Sequence, residues 1–280
     1  DGDADLLLAC EWGPMRLFEN DGGQFADATE KFGLDRYQGL WQRVAIGDFD
    51  EDGRLDFAAS NWGRNTKYDS QREKPVRIYS GDFDEDGTFD IIEAHYDPAL
   101  QKYVPDRQLG AVGGAIQFVN ARFRSNAAYG NAGVEEILGD RLDSAAIVEA
   151  NWLETTAFLN RGGKFEARAL PVEAQFAPAF GLCAADFDGD KHLDIVLAQN
   201  FFAVQPETPR YDGGRSLLLK GDGKGNFATV PGQVSGLRVY GEQRSVAAAD
   251  YDKDGWMDLV ITQNGAEVKL YRNRGAGKRE

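Results

Sequence analysis

The chain has 280 residues, 42% of them hydrophobic, and a formal charge of −15 from 46 acidic and 31 basic side chains. That size buries a substantial core, either as one large repeat domain or as two small ones. The acidity excludes nucleic acid as a partner, since phosphate binding needs a basic surface, and no apolar run is long enough for a helical membrane span.

The first five residues, Asp1-Gly2-Asp3-Ala4-Asp5, match the ending of a motif seen whole further on, Asp52-Gly53-Arg54-Leu55-Asp56. The sequence is therefore expected to open in the middle of a metal-binding loop. Residues 6–10 and 16–20 read as strands, the second running through Asp21-Gly22-Gly23 to Phe25. The same order of strand, Asn or Gly turn and aromatic returns at 156–165, at 216–227 and, shortened, at 268–277. Glycines there suit the positive φ of hairpin turns. Repeats made of short strands predict an all-β fold, a β-propeller in which each blade buries its faces against its neighbours.

The acidic motif stands complete four times, first at Asp48-Phe49-Asp50-Glu51-Asp52-Gly53-Arg54-Leu55-Asp56. Aspartates fall at positions 1, 3, 5 and 9, an aromatic at 2 and an apolar residue at 8. Carboxylates at that spacing wrap a tight loop around one point, where they repel one another severely unless a cation lies among them. Calcium suits the set because it is hard and takes about six to eight oxygens in loose geometry. Asp48, Asp50, Asp52 and Asp56 would supply side chains and Arg54, at position 7, its backbone carbonyl. The matching sets are Asp82, Asp84, Asp86 and Asp90 with Thr88; Asp186, Asp188, Asp190 and Asp194 with His192; and Asp250, Asp252, Asp254 and Asp258 with Trp256. The expected load is about four calcium ions, which would offset more than half of the formal charge.

Glu93 stands at position 12 of the second loop and completes the pattern of a helix-loop-helix calcium site. The flanking residues 76–80 and 89–96 are rich in branched and aromatic side chains, however, and predict strands, so Glu93 is read as a strand residue. The loops at Asp48 and Asp82 start 34 residues apart, too few for a full blade, which predicts that both belong to one blade. After Asp106 the pattern changes. Leu109, Val112, Ile116, Val119 and Phe123 fall at helical spacing and 134–138 reads as a second short helix, so a helical inter-blade insertion is expected at 106–138. Gly139-Asp140-Arg141-Leu142-Asp143 reads as a decayed loop that kept its strand pairing and lost the metal. Counted this way, residues 1–280 form a single domain of about five blades, part of a ring of about six to eight completed by flanking sequence. Cys10 and Cys183 each sit in an apolar strand-like run and are expected to be buried free thiols.

The Gly-Asp-Phe-Asp-x-Asp-Gly phrase, the Asn-x-Gly-x-Phe turns and the run Phe180-Gly181-Leu182-Cys183-Ala184-Ala185 before a metal loop resemble FG-GAP/VCBS repeats, the units of integrin-α-type propellers. More narrowly, Asn61-Trp62-Gly63-Arg64-Asn65-Thr66, followed by a loop and a helical insertion, is similar to the repeat region of proteins carrying an ASPIC/UnbV module, relatives of cartilage acidic protein. The resemblance implies an extracellular, periplasmic or cell-surface calcium scaffold used for adhesion, with the first, third, fifth and ninth loop residues as ligands.

Two functions follow as expectations. The first is a calcium-stabilised binding or adhesion scaffold for a protein or glycan partner, a subunit or domain of a larger assembly. The second is a carbohydrate-binding or carbohydrate-active, lyase-like propeller. Trp12, Trp62 and Trp152 recur just after a post-loop strand and Phe201 follows similarly. On one face they would make a ligand platform for sugars; otherwise they form a structural girdle. Catalysis has little support: His192 lies in a metal loop, His95 is a lone strand histidine, and no Cys/His cluster offers a zinc site.

Overall fold

A computed structural model of the chain describes residues 2–68 and 72–275; Asp1 of the opening loop and Gly277 of the last turn lie outside the described residues. The chain divides into two compact units, the first Asp1–Lys67 with Leu153–Glu280, the second Tyr68–Trp152. Where the sequence reads as one domain with an insertion at 106–138, the division falls at 68 and 152.

The first unit begins with β1 (Leu6–Leu8), β2 (Glu11–Pro14), β3 (Arg16–Asp21), β4 (Gln24–Asp27), β5 (Gln38–Leu40), β6 (Arg43–Gly47) and β7 (Asp56–Ser60). The second unit holds β8 (Val76–Gly81), β9 (Asp90–Asp97), β10 (Lys102–Pro105), the short helices α1 (Leu109–Ala115), α2 (Gln117–Arg122), α3 (Asn126–Gly130) and α4 (Val134–Leu138), and β11 (Ala146–Ala150). The chain then returns to the first unit with β12 (Thr156–Asn160), β13 (Phe165–Ala169), β14 (Ala179–Ala185), β15 (Asp194–Gln199), β16 (Leu217–Gly221), β17 (Phe227–Val230), α5 (Gly232–Ser235), β18 (Glu242–Ala249), β19 (Asp258–Asn264) and β20 (Lys269–Tyr271). Among the described residues no helix is long and apolar enough to cross a membrane.

The fold is mostly β, built of antiparallel sheets. In the first unit their orders are β1-β3-β4, β13-β12-β7-β6, β14-β15-β16-β17 and β18-β19-β20, with a small β2-β5 pair. Strands β7 and β15 are buried at every residue, because sheets covered on both faces select continuous rather than alternating apolar runs. One core joins Phe49, Ala58 and Leu159 to Leu182, Ile195 and Leu219; the next joins Val196 and Ala198 to Val246, Leu259 and Ile261. These three sheets thus pack face to face in succession. Gly181 makes the second contact close, since a Cβ there would stand 2.8 Å from the Val246 backbone nitrogen.

In the second unit the sheet order is β10-β9-β8-β11. Tyr79, Phe83, Ile92 and Ala94 of the sheet side pack on Val112, Ile116, Val119, Val134, Ile137 and Leu138 of the helices. The helical spacing from Leu109 to Phe123 does not give one helix: Ile116 is extended (φ −111°, ψ 91°) and separates α1 from α2, with Asn120 Nδ2 donating to the Gly113 carbonyl at 2.7 Å. Gly110, Gly113 and Gly114 make α1 weak enough to break there.

Two further expectations are corrected. The loops at Asp48 and Asp82 do not share a blade. The first joins β6 to β7, whose sheet is completed by β12 and β13, while the second joins β8 to β9 in the other unit. The 34-residue spacing records an inserted unit within one sheet's connectivity. Residues Gly139–Ser144 form a 3-10 turn rather than a strand-paired loop; with Asp143 as position 9, positions 1, 3 and 5 are Glu135, Ile137 and Gly139, the first two of them inside α4, so no carboxylate stands at position 3 or 5.

Candidate metal centres

Each complete loop is folded by its own carboxylates. In three loops the position 1 aspartate accepts from the amides of positions 5 and 6: Asp48 from Asp52 (3.1 Å) and Gly53 (2.9 Å), Asp82 from Asp86 (3.1 Å) and Gly87 (3.0 Å), Asp250 from Asp254 and Gly255 (both 3.0 Å); Asp186 accepts instead from positions 4 and 6, Gly189 (2.7 Å) and Lys191 (2.9 Å). The position 5 aspartate accepts from the amide of position 7, so Arg54, Thr88, His192 and Trp256 are held by Asp52, Asp86, Asp190 and Asp254 at 2.7–3.1 Å. Such turning needs left-handed backbone at positions 4 and 6. Three loops place glycine at 6 and bear Glu51, Glu85 or Lys253 at φ 57–62°, whereas the loop at Asp186 places Gly189 at position 4 and Lys191, at φ 75°, at position 6.

The ninth residue does a different job. One oxygen of Asp56, Asp90, Asp194 and Asp258 accepts from the amide of position 2, at 2.9–3.1 Å. In the first unit the other oxygen reaches the end of the third strand, accepting from Asn160 (2.7 Å), Gly221 (2.9 Å) and Asn273 (2.7 Å). Asp5 does the same with Asn20 at 2.9 Å, which aligns it with position 9 and bears on the reading of residues 1–5 as a loop ending. The Asn of the Asn-x-Gly turns locks the arrangement, since Asn20, Asn160 and Asn273 donate through Nδ2 to the carbonyls of Ala4, Leu55 and Met257.

Four sets of carboxylate oxygens come within 4.8 Å of one another: Asp48, Asp50 and Asp56; Asp82, Asp84 and Asp86; Asp186, Asp188 and Asp194; Asp250, Asp252 and Asp254. Two oxygens on opposite sides of one calcium stand about 4.6–5.2 Å apart, so the spacing fits that ion. The position 3 oxygens Asp50 Oδ1, Asp84 Oδ1 and Asp252 Oδ1 are buried with no hydrogen-bond partner among the described residues. An orphaned buried carboxylate oxygen is costly and needs a cation or a donor.

Three of the loops also meet a basic side chain beside the end of the third strand. Arg161 pairs with Asp50, Lys220 with Asp188 and with Asp190 at 2.7 Å, and Arg272 with Asp252 and with Asp254 at 3.3 Å. Those carboxylates hold the Lys220 ammonium and the Arg161 guanidinium charged. In the second unit Asp84 instead accepts from the Gln117 amide at 3.3 Å. Burial, reinforced by Asp188 and Asp190, pushes the Asp194 carboxyl up to about 6 against its two backbone hydrogen bonds; Asp56 and Asp90 are raised for the same first reason. Sequence reasoning missed these counter-ions, although each flanks the residue that caps position 9.

Of the aromatic platform, Trp62 and Phe201 meet in the first unit, ring centroids 5.4 Å apart, packed against Phe180 and Tyr211 with Arg244 over Phe180 at 4.3 Å. Trp12 is half-buried in β2. Trp152 belongs to the second unit, where it is 7% exposed beneath the Arg72 guanidinium. Glu93 lies in β9 and accepts from the Tyr68 hydroxyl at 3.0 Å. His95 Nδ1 stands 2.6 Å from Asp106. Cys10 and Cys183 are free thiols, half-buried rather than buried, and burial pushes the Cys183 thiol up to about 12.

The family model of the FG-GAP-like repeat matches residues 1–59, which span β1 to β6, the loop at Asp48 and most of β7. A search of the curated proteins found no match.

Proposed function

We propose that the chain is a calcium-stabilised binding scaffold whose first unit is built of propeller-type blades, with one calcium ion in each complete aspartate loop. The observation that carries this reading is the recurrence of a buried, unpartnered carboxylate oxygen at position 3 in Asp50, Asp84 and Asp252, in loops whose position 1 carboxylates are spent on backbone amides. An oxygen-only donor set in a loose loop suits calcium over zinc or copper. The blade reading rests on four successive antiparallel sheets, of which the three that carry a complete loop between their first two strands pack face to face. The narrower likeness to ASPIC/UnbV proteins rests on residues 61–66 and the helical insertion that follows them. Millimolar calcium outside the cell saturates even weak sites of this type, which favours an extracellular, periplasmic or cell-surface scaffold.

Thermal unfolding with saturating calcium and then with chelator tests the reading. Calcium at about 100 times its dissociation constant adds about 2.7 kcal/mol per site, a rise of several degrees in the midpoint. An unchanged midpoint would overturn it.

A further inference from the structure

At the end of the β14–β17 sheet remote from the loop at Asp186 lies a cleft of about 340 Å³, walled by Glu173, Phe176, Gln199, Arg215, Arg238 and Tyr240. A second hollow of about 680 Å³ adjoins this groove, with Phe176 and Gly213 in both walls. Both volumes fall in the range of small-molecule sites, about 300–1,000 Å³.

Three features fix the ligand chemistry. Neither Arg215 nor Arg238 pairs with a carboxylate among the described residues, in a chain where acids outnumber bases 46 to 31. Arg215 is steered over the Tyr240 ring, 5.3 Å from its centroid, and Arg238 is steadied through Nε by the Gly232 carbonyl at 3.2 Å. Two guanidiniums kept off carboxylates at one cleft are receptors for an anion. Second, Gln199 is 1% exposed and its Nε2 has no partner among the described residues, a donor that lacks an acceptor. Third, Phe176 and Tyr240 stand 42% and 61% exposed at the groove, flat apolar faces of the kind on which sugar rings stack. The wall also carries a carboxylate, Glu173, held by the Thr229 hydroxyl at 3.0 Å. A carboxylate repels a polyanion but accepts hydroxyl donors. The combination selects a ligand with spaced acid groups, many hydroxyls and flat apolar ring faces.

We propose that this groove binds an acidic oligosaccharide of the uronic-acid class, with carboxylates on Arg215 and Arg238 and a ring across Phe176. The proposal extends the scaffold reading by giving it a ligand, and it does not depend on calcium occupying the loops.

The test is isothermal titration of the full chain, in calcium at low salt, with tetragalacturonate, tetramannuronate and the neutral galactotetraose, on the wild type and on an Arg215→Ala, Arg238→Ala double variant. Both arginines are exposed, so the variant should fold, which its unchanged unfolding midpoint checks. The expected result is binding of at least one uronate, weakened about tenfold or more in the variant and about tenfold or more for the neutral sugar, with a smaller loss for Phe176→Ala. Uronate affinity unchanged in the variant, equal binding of galactotetraose, or no uronate binding overturns the proposal. A polyglutamate peptide that binds where uronates do not also overturns it. The calcium shift is measured on the same samples: a shift without uronate binding removes the groove and leaves the scaffold, and uronate binding without a shift does the reverse.

Discussion

The aspartate loops are decided by single residues with narrow conformational demands. Positions 4 and 6 are both left-handed, yet each loop supplies one glycine for the two, so a side-chain-bearing residue always takes the other. That conformation costs an L-residue about 1 kcal/mol or more. Lys191, at φ 75° and with no hydrogen bond through its side chain among the described residues, is the clearest case. Lys191→Gly should stabilise the chain by about 1 kcal/mol in urea unfolding; a loss of stability would show that the turn is not strained. A second residue-scale effect belongs to Asp194, whose carboxyl burial raises to about 6 from the model-peptide value of about 3.9. In chelator the folded state then holds a proton that the unfolded state releases. The contribution is fully present below pH 4 and is lost as pH rises through about 6. Relative to Asp194→Asn, the calcium-free wild type should therefore lose stability between pH 4.5 and 6.5; a gain over that interval would contradict the burial-driven shift.

Among elements, the ninth aspartate sets how a hairpin and its third strand are joined. Asp56 bonds both the Phe49 amide at its own loop and the Asn160 amide of β12, so it ties three strands at one point. Asp90 makes only the first bond among the described residues, because β10 pairs with β9 from Ala94 to Asp97 and stops short of the loop. Charge-assisted bonds to buried amides contribute about 1.5–3 kcal/mol each. Asp56→Ala should therefore cost about 3 kcal/mol in chelator and Asp90→Ala about half of that, measured by urea unfolding of each variant. Equal costs would mean that the third-strand bond contributes nothing. The same geometry explains why the Asn-x-Gly turns accompany the loops. Their asparagine carries a backbone amide for position 9 and a side-chain amide for the carbonyl of position 8.

For the whole molecule, the second unit is an excursion between two strands that pair directly. Phe57, Ala58 and Ala59 of β7 face Phe158, Ala157 and Thr156 of β12, and the Gly63 amide donates to the Leu153 carbonyl at 2.7 Å. The ends of the excursion are thus already together, and closing them with a short loop costs little entropy. Replacing residues 68–152 by a short Gly/Ser linker should leave the first unit folded with a cooperative transition and three of the four complete aspartate loops; collapse of that transition would show that the first unit cannot stand without the second. The loops and hairpin turns could be read from the sequence because their folding is local: Asp48 accepts from the Gly53 amide of its own loop, and Asn160 from the Gly162 amide of its own turn. The strand character of the flanks also followed from composition, which put Glu93 in β9 rather than in a helix. Tertiary structure alone decided the rest. That β7 pairs with β12 across an inserted unit, that Arg161, Lys220 and Arg272 come to the carboxylates, and that Gln199 lies in one cleft with Arg215 and Arg238, all depend on contacts between residues far apart in the chain. Residue spacing carries no record of such contacts, because sheet partners are chosen by the packing of faces and not by distance along the sequence.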